Sequence, residues 1–580
     1  MCCQPFSRRV VLSLAVLIIG LYGCGNPKPP APKGAAVFQG SESLKESTSE
    51  VVSDTFKLGA KSRAIVDVFT GPITVTAGAD QVVKATVTKK AFGKTKDEAA
   101  ENLKALPVTI TLEGDTVRIA AARPDSGNIA AGAETVLEVP PAADLDLKSH
   151  NGSVSVTGVR GAVTAKTSSA AIAVRGAAGV LNLATSFDKI DVSGPAPDVT
   201  ARNSSGAISV RDATGTLDLI TSNAPIAING KNTDVTAKSS SGAISIAGAT
   251  GAVDVKTTFD RIVVDAPCKS LTAANSSGAI KVLTTGGPVM LTTSNAPIEV
   301  DAPSSQVTAK SSSGAINVRQ ATGPVTATTS FAVITVDAPA KSVKANNSSG
   351  SITVKTTDGP LDLVTRNAPI SIEAASPDVK AESSSGAITV RRAVGTLSLS
   401  TSFATIDVDA PCKAVTAANS SGSIRIKGAD GPLKLSTRNA GIDVDANGAE
   451  VEATASSGAV NIKGATGKVT AKTSFARIAI DAEHAAVNAE NSSGSIQFTG
   501  SLAVGNHLFK TANSGVALIL PANATFALDA QTTFGKITSQ FPLKSSTAKD
   551  SQVVGSVGDN PPVRVTVRTS SGDVEIRRRK

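Results

Sequence analysis

Tryptophan is absent from the 580-residue chain, tyrosine occurs once, and phenylalanine accounts for 15 residues. So few aromatics exclude a conventional aromatic-rich core. Ala, Val, Ile, Ser, Thr and Gly have to carry the packing, which suits many thin, similar layers. Histidine is nearly missing too. His150, His484 and His507 lie far apart, and without HExxH, CxxC or a Cys/His cluster no zinc site of the usual kinds can form. Walker loops and G-x-S-x-G elbows do not occur. Nor does the body carry charge of one sign. The formal net charge of +9 owes much to Arg8 and Arg9 at one end and to Arg577, Arg578, Arg579 and Lys580 at the other. The stretch between is close to balance, which argues against nucleic acid as a partner.

Long apolar runs are also lacking, with one short exception. "VVLSLAVLIIGL" follows Arg8 and Arg9; it is too short to span a bilayer comfortably and reads as the core of a signal peptide. It ends in "LYGC", Leu21 to Cys24, which resembles the bacterial lipobox, whose cysteine is diacylated and becomes the mature first residue. Residues 1–23 are therefore expected to be a lipoprotein signal peptide. Residues 24–50 are expected to be the lipidated Cys24 and an extended tether around "GNPKPPAPKG". "SRRVVL" is similar to a twin-arginine signal, so both the Sec and the twin-arginine routes stay open. Gly25 stands where the inner-membrane retention signal of enterobacteria has Asp. The expected location is the cell envelope, at the outer membrane or the cell surface.

What the sequence has in abundance is repetition. Laid in rows of eighteen from Asp146, it stays in register to Gly505 through twenty rows. Position 9 is Ile or Val in every row (Val154, Ile172, Ile190 and on to Ile496), and position 11 is Val or Ile down to Ile480. Position 18 is Val or Leu until Gly505, and position 2 is Ala, Leu or Val. Apolar pairs two residues apart mark strands with one inward face. Such a row cannot bury that face alone, but stacked rows can. The pattern predicts an all-β fold, a parallel β-solenoid (a single-stranded β-helix) over 146–505. Twenty rungs at about 4.8 Å make a rod roughly 95 Å long. The handedness of parallel crossovers makes the expected winding right-handed; the left-handed form wants apolar residues every six, which these rows lack. Solenoid ends need covering. Residues 51–145 are expected to form a β-rich N-terminal cap with one helix, begun by Thr95 with Glu98 three residues on and ended before Pro107. Residues 506–580 are expected to form a C-terminal β cap and basic tail, in which "VRTSSGDVEI" repeats the rung motif.

A four-rung unit overlies the rows: Phe187, Phe259, Phe331, Phe403 and Phe475 recur every 72 residues. At position 6, at a corner, these rings are expected to fill space as structural packing rather than to form a sugar-binding strip. Asn203, Asn275, Asn347, Asn419 and Asn491 are expected to bond backbone groups in their turns. Position 12 alternates in sign along ten rows: Arg319, Asp337, Lys355, Glu373, Arg391, Asp409, Lys427, Asp445, Lys463, Asp481. Exposed pairs of this kind contribute about 0–1 kcal/mol each, and a slip of one rung sets like charges together. Cys268 and Cys412 share position 15 but stand eight rungs, about 38 Å, apart, while a disulfide needs Cα atoms within about 7 Å. The turns read "SSSGAI", "TSNAPI" or "TSFATI", without the G-G-x-G-x-D carboxylates of a calcium β-roll. Regular Thr arrays of the ice-binding kind are broken by Lys, Asp and Glu at positions 1 and 3. No paired carboxylates stand out for glycoside hydrolysis, so neither a catalytic residue nor a cofactor or metal ligand is assigned.

The "GPITV" start, "TKDEAAENL" helix, "VLEVP" strand and serial "SSGxIxV" turns resemble the bacterial toast-rack or "putative adhesin" family (DUF4097) over about residues 50–580. The resemblance implies an envelope β-solenoid and supplies no catalytic residues. The reading is a non-enzymatic, lipid-anchored rod, structural or adhesin-like, that contacts a glycan, peptidoglycan or a surface protein. The alternative is a spacer or regulatory module that binds a protein through its caps, and an enzyme acting on polysaccharide is the remotest reading. Anchoring is testable directly. Cys24→Ala is expected to block both acylation and signal processing, and mass spectrometry of the N-terminus with detergent partitioning reads the result.

Overall fold

The computed structural model describes residues 44–579, apart from 60, 123–129, 232–233 and 550. The signal peptide and Cys24 lie outside the described residues. The fold is an all-β parallel solenoid. Each row supplies one strand that spans position 18 to about position 4, such as Val163–Thr167, and a second over positions 9–12, such as Ile172–Arg175. Each strand pairs in parallel with its equivalent eighteen residues on: Val163 with Leu181, Ile172 with Ile190. That step holds to Val469 with Val487 and Ile478 with Ile496, with local slips where Asp265 meets Thr284 and Asp337 meets Thr356. Alternate residues of each strand point into one continuous core of Val, Ile, Leu and Ala, because side chains of a strand change face at every residue.

The corner after position 4 is tied by a buried polar column. Position 4 is Ser, Thr or Asn in nearly every row, from Ser149 to Asn491, and these side chains are buried. Thr329 Oγ1 donates to Gly314 O of the preceding rung at 3.1 Å, and Thr401 Oγ1 donates to Gly386 O at the same distance. Asparagine does more. Asn347 Nδ2 donates to Ala332 O at 2.6 Å, while its Oδ1 accepts from the N–H groups of Ser349 (3.3 Å) and Gly350 (2.9 Å). The five asparagines named above repeat this arrangement. Their bonds to turn backbone agree with the sequence reading, and the structure adds that each also reaches the rung before. Glycine at position 7 of these rows has a matching reason. A Cβ on Gly350 would lie 2.0 Å from Ala332 O, so a side chain there would drive the rungs apart.

Both ends of the rod are interleaved. At the N-terminal end the strands Arg63–Val68 and Ile73–Ala77 lie one rung inside. They pair on one side with Asp144–Ser149 and Val154–Thr157, and on the other with Thr116–Ala121 and Ala131–Val139. The outer edges are then covered by antiparallel strands, Val108–Glu113 on one and Val82–Gly93 on the other. Glu46–Lys57 pairs with Val82–Gly93, so the first described strand begins inside the segment whose composition suggests a tether. The helix Lys96–Lys104 starts as expected: Thr95 Oγ1 accepts from Glu98 N, and Glu98 Oε2 accepts from Lys94 N at 2.7 Å.

The C-terminal end has the same design in reverse. After Ile496–Leu502 the step lengthens to twenty residues, pairing Ile496 with Val516. Buried His507 lies in the strand Gly505–Lys510 within this longer step, its Nδ1 accepting from Val487 N at 3.2 Å and its Nε2 bonding Ala503 O at 2.8 Å. Burial lowers the pKa of His507, and an Nδ1 that accepts a hydrogen bond belongs to the neutral ring. The last strands of the chain, Val563–Arg568 and Val574–Arg578, slot between Gly505–Lys510/Val516–Leu520 and the outermost pair, Phe526–Gln531/Ile537–Ser539. Antiparallel Gln552–Val557 covers the outer edge of Phe526–Gln531. The basic end is therefore not a free tail as far as Arg579. Arg577 and Arg578 are strand residues, and Arg579 pairs with Glu483, whose carboxyl is held below its usual range by hydrogen bonds from Ser501 and Arg579.

Two outcomes follow from this construction. Deleting Thr236–Val307 removes four whole rungs and is expected to leave a folded rod with little change in melting temperature. Truncation after Asn560 removes the rung Val563–Arg568/Val574–Arg578 from between two others and is expected to melt the C-terminal end; circular dichroism and hydrogen exchange distinguish the two. Asn347→Ala leaves Ala332 O and the N–H of Gly350 without their partners, a loss of about 1–3 kcal/mol. It is expected to speed hydrogen exchange locally at Gly350, with Thr356→Ser as a control of unchanged exchange there.

Candidate functional site

The repeated corners decide what the rod shows to solvent. At position 6 the sequence reading placed phenylalanine as corner filling, and the structure corrects this. Phe187, Phe259, Phe331, Phe403 and Phe475 are 63–68% exposed. The corner interior has no space for a ring. It is taken up by the position-4 side chain and by backbone packed on backbone, as where a Cβ on Gly206 would meet Asp188 O at 2.1 Å. The ring is left outside. The sequence did carry a signal for this, since Phe187 and Phe259 are each followed by two charged residues, Asp188–Lys189 and Asp260–Arg261.

The position-12 charges lie on the outer side of the second strand, nine of them exposed and Arg391 half-buried. Strand register sets Arg391 beside Asp409, then Lys427, Asp445, Lys463 and Asp481 in turn. Further up, Arg319 sits beside Asp337, but the slip there sets Asp337 against Thr356 instead of Lys355. Among the described residues none of the ten forms an ion pair with another of the ten. Arg391 bonds Asp407 at 2.6 Å, and Asp337 accepts from Thr356 Oγ1 at 2.7 Å. Any effect of the alternation on register is thus one of placement rather than of close pairs.

Cys268 and Cys412 are free and fully buried. Burial pushes the Cys412 thiol up to about 11, so it is neutral and poorly nucleophilic at ordinary pH.

The non-repeating surface lies at the ends. A groove of about 770 Å³ at the N-terminal end is lined by Asp67, Phe69, His150, Lys166, Ser168 and Arg202, among others. His150 stacks on Phe69 with centroids 5.4 Å apart, and its Nδ1 lies 3.2 Å from Ser168 Oγ. A serine beside a histidine is the first half of an acyl-transfer arrangement, which needs a third group to orient the base. Among the described residues no carboxylate bonds the other ring nitrogen. Arg202 is engaged with Asp218, through both its carboxylate and its carbonyl (2.7 Å). The sequence offered one hint of this groove: His150 holds position 5, where most rows have Ser. A second groove, of about 670 Å³, lies in the C-terminal cap between Asp529, Lys544 and Arg564. The three histidines stay apart, and among the described residues no group of three His, Cys, Asp or Glu side chains is placed to hold a metal ion.

No curated protein matches the chain. The crystal structure of a "putative cell adhesion protein" from Clostridium sporogenes ATCC 15579 aligns over 47% of this chain and 99% of its own, at 9% identity and a TM-score of 0.15. So low a score is no basis for transferring a role. The family profile described as "Toastrack DUF4097" matches residues 65–391 and again 370–577. Together those matches take in the solenoid and most of both interleaved ends, and the chain belongs to the toast-rack (DUF4097) family.

Proposed function

We propose that this protein is a non-enzymatic rod of the bacterial cell envelope, held to a membrane by a lipid on Cys24 and contacting envelope glycan, peptidoglycan or surface proteins along its length. The observation that carries the reading is the uniformity of the exposed surface from Asp146 to Gly505. Short corners of Ser, Asn and Phe recur rung after rung, and a surface built of equivalent weak contacts suits multivalent attachment to a repeating polymer. Catalysis asks for the opposite, one place unlike the rest where several groups converge. The Ser168–His150 contact is the nearest approach to such a place, and it lacks an orienting carboxylate among the described residues.

A second reading has an observation of its own. The grooves lined by His150 and by Arg564 lie towards opposite ends of the rod, the first along its opening rungs beside the N-terminal cap and the second in the C-terminal cap, which favours a spacer whose protein partner is gripped at the ends. A binding screen against peptidoglycan and envelope glycans, repeated with four-rung deletions at different places in the rod, separates these readings. Attachment along the rod predicts affinity that falls step by step with the number of rungs, wherever they are removed. Attachment through the caps predicts affinity that the deletions leave alone. Turnover of a polysaccharide that His150→Ala abolishes would establish an enzyme instead.

A further inference from the structure

The exposed phenylalanines form a longer and more regular series in space than along the chain. After Phe475 the 72-residue spacing ends in the sequence. The interleaved end carries it on. Following the rungs in space, position 6 reads Phe475, Ser493, Asn513, Ser571, Phe534, since Asn513 N donates to Ser492 O (3.1 Å), Ser571 N to Ala512 O (3.0 Å) and Phe534 N to Ser570 O (2.8 Å). Phe534 is thus the sixth ring, four rungs beyond Phe475 although only 59 residues later, and it is 83% exposed. From Asn151 to Phe534 the spatial order is Asn-Ser-Phe-Ser throughout, without an exception. Packing inside the rod does not require this, because the rings touch solvent. A chain that rearranges its rung order at the end and still places a phenylalanine at the fourth rung points to a surface whose spacing matters.

We propose that the phenylalanine edge is a self-association surface, on which a second copy of this chain packs antiparallel with its rings interdigitated. Three observations select this occupant. First, four rungs are about 19 Å, and a second copy carries that same repeat over the same length, so all six rings can engage at once. Second, the order Asn-Ser-Phe-Ser reads the same in both directions, which is what a two-fold interface needs: each patch must complement its own reverse. A two-fold axis through the rung of Ser349 sets every one of the six rings opposite an asparagine rung of the other copy, Phe331 facing Asn367 and Phe187 facing Asn513. Five of the six rings then enter the gap between two rings of the partner, and Phe534 faces the rung of Asn151, outside the partner's Phe187. Third, the area suffices. Rings of ~200 Å², about two-thirds exposed, bury on the order of 1,600 Å² when twelve are covered, the size of a standard stable interface. Charge does not oppose the same register: Arg438 of one copy reaches a corner of the other that carries both Asp260 and Arg261, and Arg477 faces the uncharged corner around Asn223. The proposal takes the phenylalanine corners for self-association and leaves attachment along the rod to its other faces.

Serine already occupies position 6 in half of the rungs, so Phe→Ser at all six positions rewrites the edge in the fold's own terms. For the full chain in a nonionic detergent, sedimentation equilibrium is expected to show a dimer. The sixfold variant is expected to be monomeric with an unchanged circular dichroism spectrum, and Phe331→Ser alone is expected to weaken the dimer at least tenfold. Symmetry supplies a second readout. Ser349 is exposed and lies on the proposed axis, so Ser349→Cys is expected to cross-link to itself under mild oxidation, while Ser421→Cys, four rungs away, is not. A wild-type chain that stays monomeric overturns the proposal, as does a dimer that survives the sixfold change. Cross-linking through Asn367→Cys in place of Ser349→Cys overturns the interdigitated register. Loss of binding to phosphatidylglycerol vesicles or peptidoglycan in the sixfold variant, with a monomeric wild type, assigns the edge to an envelope surface and overturns self-association.

Discussion

The hydrogen bond from the buried side chain at position 4 to a position-7 carbonyl of the rung before is the constraint on which the rest depends. A two-strand rung buries few apolar atoms by itself, and its tight corners bring backbone carbonyls out of water. Such groups are costly unless they are paired. Ser, Thr and Asn at position 4 supply the partner, and they do so across rungs, so that satisfying one turn also fixes its place on the next. The close approach that this requires explains the glycines at position 7, where a side chain would collide with a carbonyl about 2 Å away. It also explains the surface. A corner filled with its own hydrogen bonds has no interior left for a phenylalanine, and the ring must face solvent.

Regular stacking solves the interior and creates a hazard at the ends, where a last rung would present two rows of unpaired backbone groups. The chain meets this twice with one device. The rung nearest each terminus in sequence is enclosed by another rung, and the outer one is covered by antiparallel strands. The inserted rung is therefore an edge at neither end, and of the outer strands only Ile537–Ser539 lacks an antiparallel cover among the described residues. His507 accommodates the changed step at one end as a buried neutral ring, and Arg579 ties the last strand back to Glu483.

On the proposed reading, function is a property of repeats rather than of a point. The described surface offers one contact between a serine hydroxyl and an imidazole ring and no group of metal ligands, against long rows of equivalent hydroxyls, amides and rings. Membership of the toast-rack family fits a non-enzymatic rod, and the regular exposed edge suggests how such rods could be organised side by side.

Much of this was written in the sequence. The eighteen-residue period, the inward positions 9, 11, 18 and 2, and the helix start at Thr95 were all legible, because strand alternation and helix capping are local effects that depend on residues a few positions apart. The separation of Cys268 from Cys412 followed from the period alone. Other features came from tertiary structure. Which rung lies outermost depends on pairings between segments far apart in the chain, such as Val516 with Val574, and no local pattern encodes that order. The exposure of Phe331 depends on how much of the corner Asn347 and its neighbours already fill, a question of volume that spacing cannot answer. The place of Phe534 depends on both, since it falls into line with the other five rings only after the chain has folded back to insert its last strands.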